Sequence, residues 1–188
     1  MDREARGSRW RQLVNFILFE PHHDDAVLFA SYTLLKENPL VVTVLSHTDD
    51  MERWQESHDA MDVLGVRWMP LPFPEKNPDW DGVRERISQF KDRRDYDHFF
   101  APAVEDNGHE QHSLLGEIVA DVFGADRVTH YLTYRRGCGR SQSENEVFPK
   151  PGWALQKFSA MACYASQIER ENTRYWFSSD NMLREWLQ

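Results

Sequence analysis

Two short segments of the chain carry ionisable side chains with the types and spacing of a metal site. The first segment places His22 and Asp25 three positions apart, and the second does the same with His109 and His112. Side chains at this spacing on one turn can reach a common point. Two imidazoles and one carboxylate leave an open coordination position on Zn²⁺, as in catalytic zinc sites. We therefore predict a zinc-binding site built from these two segments.

The adjacent carboxylates Asp24 and Asp25 can take two different roles in such a site. One would bind the metal and stay ionised, while the other takes a proton from a water molecule that the metal activates. A simpler alternative is that either aspartate caps the helix predicted to follow, a common role for Asp after a strand. The order His-Glu-x-His at 109–112 differs from the zincin motif, whose histidines stand four apart, so Glu110 does not take the zincin glutamate's role.

The apolar pattern predicts strands that alternate with helices along the whole chain. The predicted strands are 13–19, 40–46, 67–71, 98–101 and 128–134. The predicted helices are 26–37, 51–64, 80–94, 113–123 and 153–173. Gly65 is well placed to end the second helix, and the prolines between 70 and 78 predict a loop. The Ser-, Asn-, Gly- and Pro-containing segment 135–152 is predicted to be a mobile surface loop that could act as a lid.

This alternation predicts an α/β fold of the three-layer, Rossmann-like kind, a mostly parallel sheet flanked by helices. Ligands of such sheets bind beyond the carboxyl ends of the strands. Three polar clusters follow predicted strands: the segment at His22, the segment from Ser46 to Asp50, and the segment that ends at His112. We expect them to meet on one rim. The first strand is not followed by Gly-x-Gly-x-x-Gly, which disfavours a dinucleotide site.

Length and charge restrict the class of protein further. With 188 residues the chain is long enough for one domain, which we assign to 1–188. The formal net charge of −9 disfavours binding to nucleic acid or to an anionic membrane. Two cysteines 25 positions apart form no disulfide framework, and the apolar run 13–19 is too short to span a bilayer. We expect a cytoplasmic protein without a membrane anchor, and the sequence leaves its oligomeric state open.

Five segments in order resemble the LmbE-like (PIG-L) family of zinc-dependent N-acetylglucosaminyl deacetylases. The segment 21–28 resembles the family's Ala-His-Pro-Asp-Asp-Glu signature, and 41–46 resembles its second strand. Arg53-x-x-Glu56 followed by 59–66 is similar to its Arg-x-x-Glu helix that ends in Leu-Gly-Val. The segments 97–102 and 108–112 resemble its strand and Gly-His-Pro-Asp-His motif, and 157–167 its Lys…Tyr-x-Ser-Gln helix. The resemblance covers the chain from about residue 13 to 170.

The resemblance implies roles for five residues of the two metal-site segments. His22, Asp25 and His112 would bind Zn²⁺, and Asp24 would be the general base. His109 would lie near the metal, where it could stabilise the oxyanion or protonate the leaving amine. The implied activity is hydrolysis of the N-acetyl group of an N-acetylglucosamine-type amino sugar or its conjugate, a small-molecule substrate, with release of acetate.

Two further residues are assigned to the substrate. Arg53 would contact sugar hydroxyls or a phosphate-bearing aglycone. Asp50, in the polar cluster on the same rim, is also assigned to substrate binding. An alternative for Arg53 is a salt bridge with Glu56 within its own helix.

The chain departs from the family's pattern at three positions. His23 replaces the usual proline and could add a fourth nitrogen near the metal, and Ala26 replaces a frequent glutamate. Gln111 replaces the common aspartate beside the ligand histidine, so that a carboxylate that orients the histidine must come from elsewhere. None of the three removes a proposed ligand or the base. The remaining alternatives are a metal-dependent esterase or phosphoesterase on the same site, and a catalytically silent sugar-binding domain.

Overall fold

The computed structural model describes residues 16–46, 51–91, 96–105, 108–133, 145–170, 177 and 184–188. Seven strands of these segments form one sheet in the order β3-β2-β1-β4-β5-β7-β6. The first five pair in parallel, and β7 pairs antiparallel with both β5 and β6. The strands are β1 Phe16–Glu20, β2 Leu40–Thr43, β3 Arg67–Pro70, β4 His98–Pro102, β5 Val128–Tyr131, β6 Asn145–Val147 and β7 Glu185–Leu187.

Helices connect the parallel strands, as the sequence pattern predicts. The helices are α1 Asp25–Glu37, α2 Met51–Leu64, α3 Trp80–Ser88, α4 Glu110–Phe123, α5 Trp153–Met161 and α6 Ala165–Ile168, with a 3₁₀ turn at Ala125–Arg127. Helix α2 ends where Gly65 adopts a φ of 69°, which an L side chain rarely adopts. The Val66 amide then donates to the Met61 carbonyl, which completes a helix C-cap with Gly65 in the left-handed conformation. None of the described helices is long and apolar enough to cross a membrane.

Alternating side chains of the central strands enter two separate cores. Leu18 points to a core shared with α1, α2 and α5, whereas its neighbours Ile17 and Phe19 point to a core shared with α3 and α4. Successive side chains of a strand point to opposite faces, so the sheet is buried on both sides. The predicted three-layer α/β fold with a mostly parallel sheet is therefore confirmed.

Several predicted boundaries differ from the structure. The strand 40–46 ends at Thr43, and Leu45 makes an isolated antiparallel bridge to Pro72. The helix 80–94 ends at Ser88, where a turn buries Phe90. Helix α4 begins at Glu110, three residues before its predicted start. The strand 128–134 ends at Tyr131, and residue 134 is outside the described segments, as are 13–15 of the first predicted strand.

The predicted loop 135–152 and the predicted helix 153–173 are partly wrong. The segment 153–173 is not one helix, because α5 ends at Met161 and a turn separates it from the short α6. Of the predicted loop 135–152, residues 145–147 form strand β6, and 135–144 lie outside the described residues. The described part of that segment therefore gives no support to a lid.

Candidate metal centre

Three side chains from the two predicted segments converge on one point. The Nδ1 atom of His22 lies 3.1 Å from Oδ2 of Asp25 and 3.2 Å from Nε2 of His112. The same Oδ2 lies 3.3 Å from Nε2 of His112. Within the described segments this is the one group of three or more such residues whose ligand atoms lie close enough to hold a metal ion together.

The parallel sheet places these side chains beside each other. His22 and Asp25 follow β1 at the start of α1, and His112 lies in the first turn of α4, which follows β4. Because β1 and β4 are adjacent and parallel, their carboxyl ends meet at the same edge. The convergence therefore follows from the strand order, although His22 and His112 are 90 positions apart.

The donor set fits Zn²⁺. Ligand atoms that share a tetrahedral zinc ion at about 2.0–2.1 Å stand about 3.3 Å from one another, close to the spacing observed here. Two imidazole nitrogens and one carboxylate oxygen are also the donors of many catalytic zinc sites. Both Asp25 and His112 are about 1% exposed, so they are already removed from water as ligands should be.

Gln111 orients His22 for this role. The Oε1 atom of Gln111 lies 2.7 Å from Nε2 of His22, and its Nε2 donates to the Glu75 carbonyl at 2.6 Å. With its amide group so fixed, Gln111 accepts a hydrogen bond and places the proton of neutral His22 on Nε2. The Nδ1 lone pair of His22 is then directed at the metal point. An amide oxygen thus does what a carboxylate does in many zinc sites.

Charge in the metal-free cluster is concentrated on His22 and Asp25. Burial acts to lower the pKa of His22, but the charge and hydrogen bond of Asp25 outweigh it and raise the value to about 9. Burial acts to raise the pKa of Asp25, but the two imidazoles, His112 first, lower it to about 2. Burial lowers the pKa of His112 to about 3, so His112 is neutral and the ion pair is between His22 and Asp25.

Asp24 is held on the other side of the turn by Arg53. An Nη2–Oδ1 contact of 3.1 Å joins the two, and Nη1 of Arg53 donates to Oε1 of Glu75 at 2.6 Å. Burial raises the pKa of Asp24 above its ordinary value, and the Arg53 charge opposes that rise. The alternative of a pair with Glu56 is not what the structure shows, because Glu56 accepts from the backbone and hydroxyl of Ser166.

His109 lies at the exposed edge of the cluster. It is the N-cap residue of α4, and its ring centroid is 5.2 Å from the rings of both His22 and His112. Burial and the neighbouring His22 charge lower the pKa of His109 below its ordinary value. A neutral imidazole that can donate a hydrogen bond is thus available next to the metal point.

His23 does not join the metal cluster. Its side chain is fully buried, its Nδ1 lies 2.9 Å from the Ser57 hydroxyl, and its ring packs against Trp68. The hydroxyl of Tyr164 donates to the His23 carbonyl at 2.5 Å. His23 therefore fixes the turn to α2 and α6 instead of supplying a fourth nitrogen.

Glu20 caps the first turn of α1. Its Oε2 accepts from the Ala26 amide at 2.7 Å, and its Oε1 accepts from the Thr43 hydroxyl at 2.5 Å. Neither Asp24 nor Asp25 takes this role: Asp24 makes no cap bond through its side chain, and Asp25 accepts from the His22 amide. The helix-cap alternative for the two aspartates is therefore wrong.

The structure thus brings together most of the residues that the sequence singles out. His22, Asp25 and His112 share one point, and Asp24, Arg53 and His109 lie around it. Asp50 lies outside the described residues. Sequence reasoning missed the contacts of Glu20, Glu75 and Gln111. The prolines around Glu75 predict the loop that carries it, but no local pattern marks the residue itself.

Comparison with known proteins supports the fold. No family model matches the chain, and no curated protein matches its sequence. Among solved structures, a triple mutant of the deacetylase of teicoplanin biosynthesis has a TM-score of 0.74 and 18% identity, covering 92% of this chain and 97% of that one. A zinc-inhibited form of teicoplanin deacetylase has a TM-score of 0.69 at 17% identity, with 92% and 97% of the two chains covered.

Two other proteins share the architecture. The A40926 pseudoaglycone deacetylase has a TM-score of 0.70 and 17% identity, covering 93% of this chain and 96% of that one. The 4-carboxy-2-hydroxymuconate hydratase of Pseudomonas putida KT2440 has a TM-score of 0.69 and 14% identity, covering 92% and 94%. At such identities the likeness establishes a common fold. The chain therefore has the three-layer α/β fold that these deacetylases and the hydratase share. This is the fold that the resemblance of the five sequence segments implies.

Proposed function

We propose that this chain is a zinc-dependent N-deacetylase that removes the acetyl group from an N-acetylglucosamine-type amino sugar or its conjugate. The observation that carries the proposal is the convergence of His22, Asp25 and His112 within 3.1–3.3 Å, with a second buried aspartate directly adjacent in sequence. The common fold with glycopeptide-antibiotic deacetylases supports the same reaction class.

His22 Nδ1, Asp25 Oδ2 and His112 Nε2 would hold the metal. When bound, Zn²⁺ would polarise the amide carbonyl and lower the pKa of a water molecule to about 7. Asp24 would take the proton from that water. Asp25 is one of the ligands, which leaves the adjacent Asp24, bound by Arg53, as the carboxylate for this role. The guanidinium of Arg53 opposes the effect of burial on the pKa of Asp24 and so favours the ionised form that a base needs.

The bond changes of the reaction assign the remaining proton. The water oxygen bonds to the acetyl carbon, the C–N bond breaks, and the amine nitrogen needs a proton as it leaves. Asp24, which has just accepted one from water, can return it to the nitrogen. His109 is neutral near pH 7 because its pKa is lowered, so its N–H would stabilise the carbonyl oxygen as negative charge develops there.

The substrate side of the proposal rests on Arg53 and Asp50. Arg53 already binds Asp24 and Glu75, so a substrate hydroxyl would join an existing network rather than meet a free cation. Asp50 keeps its predicted role at the substrate. Other chemistry on the same site, including ester hydrolysis, remains as an alternative outcome of the assay. A second metal ion would favour a phosphoesterase. The described residues form one candidate metal cluster, and the other carboxylate-rich segment, Asp49-Asp50, lies outside them.

Acetate release from a panel of N-acetyl amino sugars and their conjugates tests the proposal. The purified protein with one equivalent of Zn²⁺ should release acetate and a free amine, and Asp24→Asn should lower the rate by roughly 10²–10⁴-fold while it still binds zinc. His112→Ala should lose the metal. Zinc-loaded protein that releases no acetate from any member of the panel would contradict the proposal.

Hydration of a carbon–carbon double bond is a second candidate, because one protein of the same fold is a hydratase. It needs an activated water and a proton donor but no leaving amine. Loss of a conjugated enol's ultraviolet absorbance, without acetate release, would favour it over deacetylation.

A further inference from the structure

Glu75 is linked both to the proposed base Asp24 and to the proposed metal ligand His22. Its carboxylate accepts from Arg53 Nη1 at 2.6 Å, and Arg53 reaches Asp24 through Nη2. Its backbone carbonyl accepts from Gln111, whose other amide atom contacts His22. One residue of the proline-rich loop therefore touches the proposed base through Arg53 and the metal ligand through Gln111.

The two connections use different chemical groups of Glu75. The connection to Arg53 depends on the side-chain charge, and the connection to Gln111 depends on a backbone carbonyl that every residue has. Arg53 is only 12% exposed, so its placement depends on the groups that compensate its charge in the interior. Among the groups that contact it, Asp24 binds one terminal nitrogen and Glu75 binds the other.

We propose that Glu75 is a positioning residue, whose carboxylate fixes the guanidinium of Arg53 and thereby the geometry of Asp24. The inference rests on the proposed function, because it gives Asp24 a reaction to carry out. Without the Glu75 carboxylate, Arg53 can rotate toward solvent or close on Asp24 with both terminal nitrogens. Either movement shifts a proton acceptor that must lie within hydrogen-bond reach of its water.

Glu75→Gln separates the two connections, since it removes the charge and leaves the backbone carbonyl. We expect kcat to fall at least about tenfold, because small displacements of catalytic groups are costly, while KM stays within about threefold. Zinc affinity should not change. In contrast, Gln111→Ala should weaken zinc binding by about 10–100-fold, as removal of a ligand's outer partner does. Glu85→Gln is the matched control: it removes an exposed acidic charge from α3 and should leave kcat unchanged.

Three further outcomes would overturn the proposal. A higher KM with unchanged kcat would make Glu75 a substrate contact. A loss of zinc affinity in Glu75→Gln equal to that of Gln111→Ala would mean that the substitution acts through the loop backbone. The Glu75→Gln effect should also vanish in an Arg53→Met background, and its full persistence there would exclude Arg53 as the intermediary.

A measurement without substrate separates failure of this inference from failure of the proposed function. In urea unfolding of the zinc-loaded protein, Glu75→Gln and Arg53→Met should each lower the free energy of unfolding, and their combined loss should be clearly less than the sum of the single losses. The losses caused by Glu75→Gln and Gln111→Ala should be additive. If the losses of Glu75→Gln and Arg53→Met are additive, Glu75 is not a positioning residue, even if acetate release is found. Coupled losses without acetate release would leave the contact correct and the reaction wrong.

Discussion

Lys157 and Glu185 form a buried ion pair that takes the place of a backbone hydrogen bond in α1. Helix α1 is kinked at Ala30, whose φ and ψ of −138° and 16° are not helical. In a regular helix the Tyr32 amide would donate to the Leu28 carbonyl. Here the Tyr32 amide donates to Glu185 at 2.8 Å, and Lys157 donates to the Leu28 carbonyl at 2.7 Å.

Removal of one partner of this pair should be strongly destabilising. The Lys157–Glu185 distance is 2.7 Å, and the two side chains are 0% and 1% exposed. Lys157→Met leaves the Glu185 carboxyl group in the interior without its counter-ion, and we expect a loss of about 3–5 kcal/mol in the free energy of unfolding. Urea denaturation at pH 7 measures it.

Two controls test the reason for that loss. The double variant Lys157→Met with Glu185→Gln should lose less than Lys157→Met alone, because it leaves no buried charge without a partner. Lys36→Met removes a lysine that pairs with Glu37 but is itself 58% exposed, and it should cost no more than about 1 kcal/mol. Equal losses at positions 157 and 36 would mean that burial of the pair does not matter.

Zinc binding should release a proton from His22. In the metal-free protein the pKa of His22 is about 9, so the ring is charged near pH 7.5 and must lose its Nδ1 proton to bind a metal. Because the released proton is taken up by the buffer, the calorimetric enthalpy should vary with the buffer's ionisation enthalpy, with a slope of about one proton. Affinity should rise with pH up to about 9. An enthalpy independent of the buffer would contradict the charge that we assign to His22.

The sequence predicts the parts of this site that depend on local order. Alternating strands and helices predict a parallel sheet, and a parallel sheet brings the segments after β1 and β4 to one edge. This is why the two segments could be predicted to form one metal site, since the spacing of three positions lets side chains of one turn reach a common point. The choice of His22, Asp25 and His112 as the ligands came from the family resemblance.

The partners of the buried polar groups could not be predicted in this way. Glu185 contacts Tyr32 across 153 positions and Gln111 contacts His22 across 89, and no periodicity records such pairs. The break after α5 has the same origin. The segment 153–173 has helical spacing, but the chain turns after Met161 and Tyr164 then reaches the His23 carbonyl.

Glu20 should make the metal-free protein less stable as the pH rises. Burial raises the pKa of Glu20 to about 8, although hydrogen bonds from Thr43 and the Ala26 amide oppose the rise. The folded state therefore binds this proton more tightly than the unfolded chain, whose glutamate has a pKa of about 4.5. The proton on Glu20 therefore contributes to the free energy of unfolding in full below pH 4.5, and this contribution is lost as the pH rises toward 8.

Glu20→Gln isolates this contribution, since the amide cannot titrate but can still accept from Ala26. The free energy of unfolding of the chelator-treated proteins is measured in urea at pH 5, 6.5 and 8. The stability of the variant relative to the wild type should increase as the pH rises. The other titrating groups are common to both proteins and cancel in the difference. Parallel curves would show that Glu20 has an ordinary pKa.

Gly116→Ala should destabilise the protein, although alanine normally stabilises a helix. Gly116 lies in α4, where replacement by alanine would ordinarily gain about 1 kcal/mol. Here a Cβ would overlap the Pro102 carbonyl oxygen at the end of β4. That oxygen is held by His130 Nδ1 at 2.9 Å, so it cannot move away freely. The clash should therefore outweigh the helical gain, with a net loss of about 1–3 kcal/mol.

The same substitution should also weaken the metal site, because His112 is one turn before Gly116 on the same helix. Displacement of α4 from β4 would carry the His112 Nε2 atom away from Asp25 Oδ2, 3.3 Å distant in the structure. Thermal unfolding with and without Zn²⁺, together with a zinc titration, measures both effects. Glu117→Ala, on the exposed side of α4, is the control and should change stability by less than about 0.5 kcal/mol. A Gly116→Ala variant more stable than the wild type would show that the helix and strand do not approach this closely, and the position of His112 would need revision.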